Sequence, residues 1–127
     1  MDEVTSNWIK SSEYDIKTAS ALLKSRRYVY VIFMCHLSVE KALKALVVQE
    51  TKEAPPKTHD LGRLADLAGI VVPEHYRAIA THLKEASVPT RYPEDMSKLV
   101  KYYNKGAAER YLVETKGLLK WLRARIK

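Results

Sequence analysis

Residues 28–50 read YVYVIFMCHLSVEKALKALVVQE. The opening half, Tyr28 to Cys35, is apolar on every side, and its β-branched and aromatic residues taken alone suit a strand. No glycine or proline interrupts the run, and it passes directly into Glu-Lys-Ala-Leu-Lys-Ala-Leu, residue types with strong helix propensity. One central helix over Tyr28–Glu50 accommodates both halves. A helix that is apolar all round has to be covered on more than one side, by neighbouring helices or by a second subunit. The breadth of this one motivates the expectation of a homodimer.

Working outward from it, Trp8, Ile9, Ile16, Leu22 and Leu23, with the small Ser12 and Ala19 on the same stripe, predict an amphipathic helix over Thr5–Leu23 that Ser25, Arg26 and Arg27 interrupt. On the other side, Pro55 and Pro56 mark a loop from Thr51 to Asp60. Thr58 or Asp60 can cap a short helix over DLGRLADLA, which Gly69 stops. Pro73 suits the first turn of a further helix over EHYRAIATHLKEA. The segment SVPTRYPEDM holds Pro89 and Pro93 and predicts a loop. From Asn104, a plausible cap, Ala108, Tyr111, Leu112, Thr115, Leu118, Leu119, Leu122 and Ile126 recur at helical spacing, and the opposite face carries seven lysines and arginines against Glu109 and Glu114. These elements predict an all-α fold, an antiparallel up-down four-helix bundle with a short additional helix, as a single domain over residues 1–127.

Composition supports this. A chain of 127 residues can close one core without disulfides or a structural metal, and 46% apolar with 29% charged residues describes a folded globule with a solvated surface. The single cysteine, Cys35, excludes a disulfide framework within the chain. The acidic start MDEVTSNW and the lack of a long uncharged apolar stretch lead to the expectation of a cytoplasmic protein with no membrane association. A net charge of +7 suits a polyanionic partner, although basic residues also serve solubility alone.

Three landmarks carry a family resemblance. Phe33 to Leu46, with its Glu-Lys-Ala-Leu-Lys-Ala-Leu, resembles the second helix of HEPN domains. Thr58-His59-Asp60-Leu61 resembles the family's His-Asp-Leu approach to the third helix, and Thr90-Arg91-Tyr92-Pro93-Glu94 its Arg-Tyr-Pro-Asp/Glu loop. Their joint order, rather than any one of them, is what is specific. The resemblance implies a helical bundle, usually dimeric, that binds nucleotides or RNA. It further implies a possible small nucleotidyltransferase as partner, a component of a toxin-antitoxin pair, or a metal-independent ribonuclease with an Arg-x4-6-His motif.

The candidate chemistry is limited. Arg77 and His82 match the ribonuclease spacing, with arginine to neutralise phosphate and histidine to move a proton. Ala78, however, follows Arg77 where the resemblance implies a polar residue, and the pair falls within a predicted helix. No histidine follows Arg91. Arg91 and Tyr92 offer a planar fork for phosphate and an aromatic face for a base; the structural alternative is that Arg91 ties its loop to a buried carboxylate, Glu40 or Asp15, with Tyr92 as an apolar plug. His36 and Glu40, four apart, share a helix face and suit a polar patch lining a cleft or interface. His59 and His75 lack further ligands at metal-binding spacing, so no metal is expected. No Gly-rich phosphate loop, dinucleotide fingerprint or paired cysteine motif occurs, and no cofactor is implied. Cys35 reads as core.

The reading that follows is a nucleotide- or RNA-binding module, or a nucleotidyltransferase partner, that is not an autonomous enzyme, with Arg91, Tyr92, His36 and Glu40 as its ligand-binding residues. Ribonuclease chemistry at Arg77 and His82, and a purely structural dimeric role, are the alternatives.

Overall fold

In the computed structural model, which describes residues 1–127, the chain forms six helices and no strand: α1 (Glu3–Lys24), α2 (Tyr28–Thr51), α3 (Leu61–Leu67), α4 (Glu74–Arg91), α5 (Met96–Tyr102) and α6 (Lys105–Arg123). Side chains set where most of them begin. Asp2, Asp60, Asp95 and Asn104 each accept a backbone N–H from three residues on, satisfying a donor that the first helical turn leaves free. Arg27 and Pro73 precede α2 and α4 without a side-chain cap.

α1 and α2 form an antiparallel hairpin through a short turn in which Arg26 adopts a left-handed backbone, φ 62°. Two serines let the helices approach closely. Ser12 Oγ donates to the Ser38 carbonyl at 2.7 Å, and Ser38 Oγ donates to the Ser12 carbonyl at 3.2 Å, both buried. The end of α4 and the start of α6 both reach the start of α2, where Val29, Ile32, Ala86 and Tyr103 cluster. At the other end Gln49 donates to the Arg125 carbonyl and accepts from the Lys127 N–H. α2 and α6 therefore run parallel to each other and antiparallel to α1 and α4, an up-down-up-down bundle with α3 in the second connection and α5 in the third.

α2 lies at the centre. Val31, Cys35, Val39, Leu43, Leu46 and Val47 join Ile16, Leu64, Leu83, Leu112, Leu118 and Leu122 in one core. Most of the apolar girth of α2 is thus covered by α1, α3, α4 and α6 of its own chain, but Tyr30 remains exposed and Phe33, Met34 and Leu37 are only half-buried. Cys35 is wholly buried, which pushes its thiol up to about 12, so it stays protonated and unreactive.

Two elements differ from expectation. α4 does not stop before Ser87 but continues through Pro89 to Arg91. Proline removes the one N–H that would donate to the Glu85 carbonyl, and the ladder resumes beyond it, the Tyr92 N–H donating to the Val88 carbonyl at 2.8 Å. Burial of Ala86 and Thr90 holds the last turn against the core. The rest of the expected loop is shortened by α5, which Asp95 caps and in which no residue is buried. The basic face of α6 is largely solvent-exposed, as its pattern predicts. No helix is long and apolar enough to cross a membrane.

Candidate functional site

The central helix carries one polar seam through its apolar surface. His36, Glu40 and Lys44 succeed one another at spacings of four, so they stack along a single face. All three are buried. An isolated carboxylate at the depth of Glu40 would cost several kcal/mol in lost hydration, and it has to be compensated. Lys44 Nζ donates to Glu40 Oε2 at 3.1 Å, and Lys44 in turn lies over the Trp8 ring of α1, 5.5 Å from its centroid.

The other carboxylate oxygen is held from outside the helix. His59, on the connection before α3, places Nδ1 2.7 Å from Glu40 Oε1. Its second nitrogen, Nε2, is 3.0 Å from Arg91 Nη1. A guanidinium can only donate, so Nε2 is the acceptor here; the proton of a neutral imidazole then lies on Nδ1 and is donated to Glu40. Arg91, in the last turn of α4, stacks its guanidinium over the Phe33 ring at 5.0 Å. Its Nη2 is buried and has no hydrogen-bond partner in the chain. Three segments distant in sequence thus converge: α2 supplies the buried carboxylate, the α2–α3 connection the histidine, and the end of α4 the arginine.

His36 stands behind this corner. It is fully buried, 3.9 Å from Glu40 Oε1, and neither ring nitrogen has a hydrogen-bond partner. Burial drives its pKa down to about 4; the Glu40 carboxylate pulls the other way, and the charges of Arg91 and His59 add to the depression. His36 is therefore neutral near neutrality. With Lys44 balancing Glu40, Arg91 leaves the corner with a net positive charge, and the His59 side chain, 58% exposed, forms its open edge.

The residues singled out in the sequence fare differently. His36, Glu40 and Arg91 come together. Arg91 does reach Glu40, but through His59 rather than directly, and Asp15 pairs instead with Lys41 at 2.8 Å. Tyr92 separates from Arg91. It is 68% exposed, so it is no plug, and it lines a neighbouring cleft with Val88, Pro89, Leu99 and Tyr102. Arg77 and His82 lie on α4, both exposed, and five residues of helix point them about 140° apart. Arg77 lines a cleft between α3 and α4 to which His82 does not contribute. His59 and Lys44 are the residues that sequence reasoning missed. His59 stood in the His-Asp-Leu landmark without a role, and Lys44 completed the spacing of His36 and Glu40. No group of three or more histidine, cysteine or acidic side chains gathers as a metal-ligand set.

The fold and this corner define a small helical-bundle protein with a buried carboxylate beneath a histidine–arginine pair. The chain belongs to the HEPN domain family, whose family model matches residues 5–125. Solved structures agree in fold. TT1696 from Thermus thermophilus is 21% identical, with a TM-score of 0.81 over 98% of this chain and 100% of that one. ST0689, an archaeal HEPN homologue, is 25% identical, with a TM-score of 0.78 over 100% of both chains. No curated protein matches the chain significantly.

Proposed function

We propose that this chain binds the phosphate of a nucleotide or of RNA at the Glu40–His59–Arg91 corner. The observation that carries the reading is the way Arg91 is held. His59 and the Phe33 face fix the half-buried guanidinium beside the exposed His59 edge, and Lys44 already balances the charge of Glu40, so the positive charge of Arg91 is not neutralised within the corner. A fixed planar fork loses little freedom on meeting a phosphate, which favours it over a mobile surface lysine. Titration with mononucleotides and short RNA at low and high salt tests this. Binding should weaken as salt rises and fall at least about tenfold in Arg91→Ala. Salt-independent binding, or an unaltered affinity in that variant, overturns it.

A ribonuclease reading has one specific observation in its favour, and it favours different residues from Arg77 and His82. His59 Nε2 accepts from Arg91 Nη1 here; once a bound phosphate draws that N–H away, its lone pair, with Glu40 orienting the ring, would be placed to take the proton of a ribose 2′-hydroxyl as its oxygen attacks phosphorus. The 5′-oxygen would then leave with a proton from the imidazolium. If RNA is cleaved, His59→Ala should abolish cleavage and His82→Ala should not; the reverse result returns the chemistry to Arg77 and His82.

Assembly is a separate proposal. Val88, Tyr92, Met96, Val100 and Tyr102 are large, exposed apolar side chains in or beside the final turn of α4 and α5. A short helix with no buried residue gains stability chiefly from packing, and a second copy of this chain would supply it. Light scattering of the purified protein should give a dimer that Val100→Asp dissociates. A stable monomer would shift the patch to a different protein, such as a nucleotidyltransferase.

A further inference from the structure

Away from the Arg91 corner, α3 and α4 bound a cleft of about 360 Å³ together with Ile70, Val71 and Val72. Its floor is unusual for a surface feature. Val39 and Leu43 of α2 and Leu118 and Leu122 of α6, all members of the central core, form its base. The size falls in the range of small-molecule sites, which combine an apolar body with a few polar groups at the mouth.

The mouth is charged in an ordered way. α4 presents Arg77, Thr81 and Lys84 at spacings of four and three, one face of one helix. α3 presents Asp60 and Asp66 on the other lip. None of these four charged side chains forms an ion pair, with each other or with anything else. Asp60 has one oxygen engaged in capping α3, on the Arg63 N–H, and Asp66 is free. Cations and carboxylates therefore line opposite sides of an apolar slot without closing it.

Gly62 adds to this. Glycine costs stability inside a helix, and its backbone here is not of the left-handed kind that would require it. A Cβ at this position would meet only Asp60 Oδ1, at 3.4 Å. The missing side chain keeps the α3 lip low.

We infer that the α3–α4 cleft binds a free apolar amino acid as its zwitterion, with carboxylate toward Arg77 and Lys84, ammonium toward Asp66 and Asp60, and side chain against the half-buried Ile70, Val72 and Ala80 above the core floor. A ligand of one charge would satisfy one lip and leave the other facing it with like charge. A ligand bearing both charges on an apolar body matches all three surfaces.

Calorimetric titration of the full chain tests this with L-phenylalanine, 3-phenylpropionate, which lacks the ammonium, and phenethylamine, which lacks the carboxylate. L-phenylalanine should bind, and each analogue should bind at least about tenfold more weakly, the loss of one charged contact. Arg77→Gln with Lys84→Gln should abolish binding. Gly62→Leu should also abolish it while leaving the melting temperature unchanged or higher, which separates a blocked mouth from unfolding. Arg91→Ala should leave it intact, so this site and the phosphate corner succeed or fail separately. No binding of L-phenylalanine, equal binding of either analogue, or binding indifferent to the Arg77 and Lys84 pair overturns the inference.

Discussion

One helix, α2, builds both the core and the candidate site, and its two stripes obey different rules. Along one run Val39, Leu43 and Leu46, whose contribution is additive and non-directional: area removed from water, at roughly 25 cal/mol per Å². Along the other run His36, Glu40 and Lys44, just as deeply buried, where burial costs free energy unless each group has its partner. The apolar stripe tolerates approximate neighbours. The polar stripe depends on individual atoms from α1, the α2–α3 connection and α4, and it is there that the chain concentrates charge, a half-buried guanidinium and an exposed imidazole.

The sharpest way to break this contrast is Glu40→Ala. It leaves Lys44 buried and unpaired and frees His59 from its anchor, so unfolding in denaturant should show a loss of about 3–5 kcal/mol, and nucleotide binding should fail with it. Glu40→Gln, which keeps the shape, should lose less stability but still weaken binding. Should Glu40→Ala be neutral in stability, the seam is not the coupled unit described here. Leu43→Ala on the adjacent apolar stripe comes next, at about 3 kcal/mol, and should leave the affinity of the folded fraction for nucleotide unchanged.

His36 sharpens the comparison through pH. In the unfolded chain it titrates at its ordinary value of 6.5, and in the folded chain at about 4. As pH falls through that window, the unfolded state takes up a proton that the native state refuses, so stability falls. Below the lower value both states are protonated and the contribution levels off. The total is about 3 kcal/mol, and about 2 kcal/mol of it is already lost at about pH 5. Glu40, Arg91 and His59 are the charged or titratable groups that act on it. His36→Leu should flatten this part of the stability profile and raise stability at about pH 5, because no hydrogen bond is lost when neither ring nitrogen has a partner. A profile as steep in the variant as in the parent would show that other groups carry the acid sensitivity.

The apolar stripe was legible in sequence and the polar one only in part, for a physical reason. Core periodicity repeats within a helix, so α1, α2 and α6 are visible from their own residues, and Asp60, Gly69 and Asn104 mark helix ends by local hydrogen bonding or a left-handed backbone, φ 69° at Gly69. The same local signal misled at Pro89, where the buried Ala86 and Thr90 hold the last turn of α4 against the core. For α2, periodicity reports that a face must be covered and not by what: its own chain covers most of that face and leaves Tyr30 exposed. His36 and Glu40 could be paired from their spacing. His59 is nineteen residues from Glu40 and thirty-two from Arg91, and no local pattern encodes such a meeting; only its place in the His-Asp-Leu landmark hinted at importance.

Smaller effects separate the site from its surroundings. Arg91→Ala removes a half-buried guanidinium stacked on Phe33 and bonded to His59, interactions worth about 1–2 kcal/mol together. Its effect on phosphate binding should exceed its effect on stability. If it costs several kcal/mol instead, Arg91 is a structural tie and the corner is a clamp rather than a site.

Tyr92→Ala is the mildest change and the most discriminating, because the sequence joins Tyr92 to Arg91 while the fold parts them. The ring is mostly exposed, so its loss should alter monomer stability by no more than about 0.5 kcal/mol. Two readings of it then diverge. If it stacks on a base whose phosphate sits at Arg91, its removal weakens nucleotide binding as stacking predicts, by about 1–3 kcal/mol per base. If it belongs to the apolar patch with Val88 and Met96, nucleotide affinity stays constant and self-association weakens instead, visible by light scattering at low protein concentration. Its position in a cleft with Pro89, Leu99 and Tyr102, turned away from the His59–Arg91 pair, favours the second outcome: adjacent residues at the end of a helix point in different directions, and the guanidinium is committed inward while the phenol is left for a neighbour.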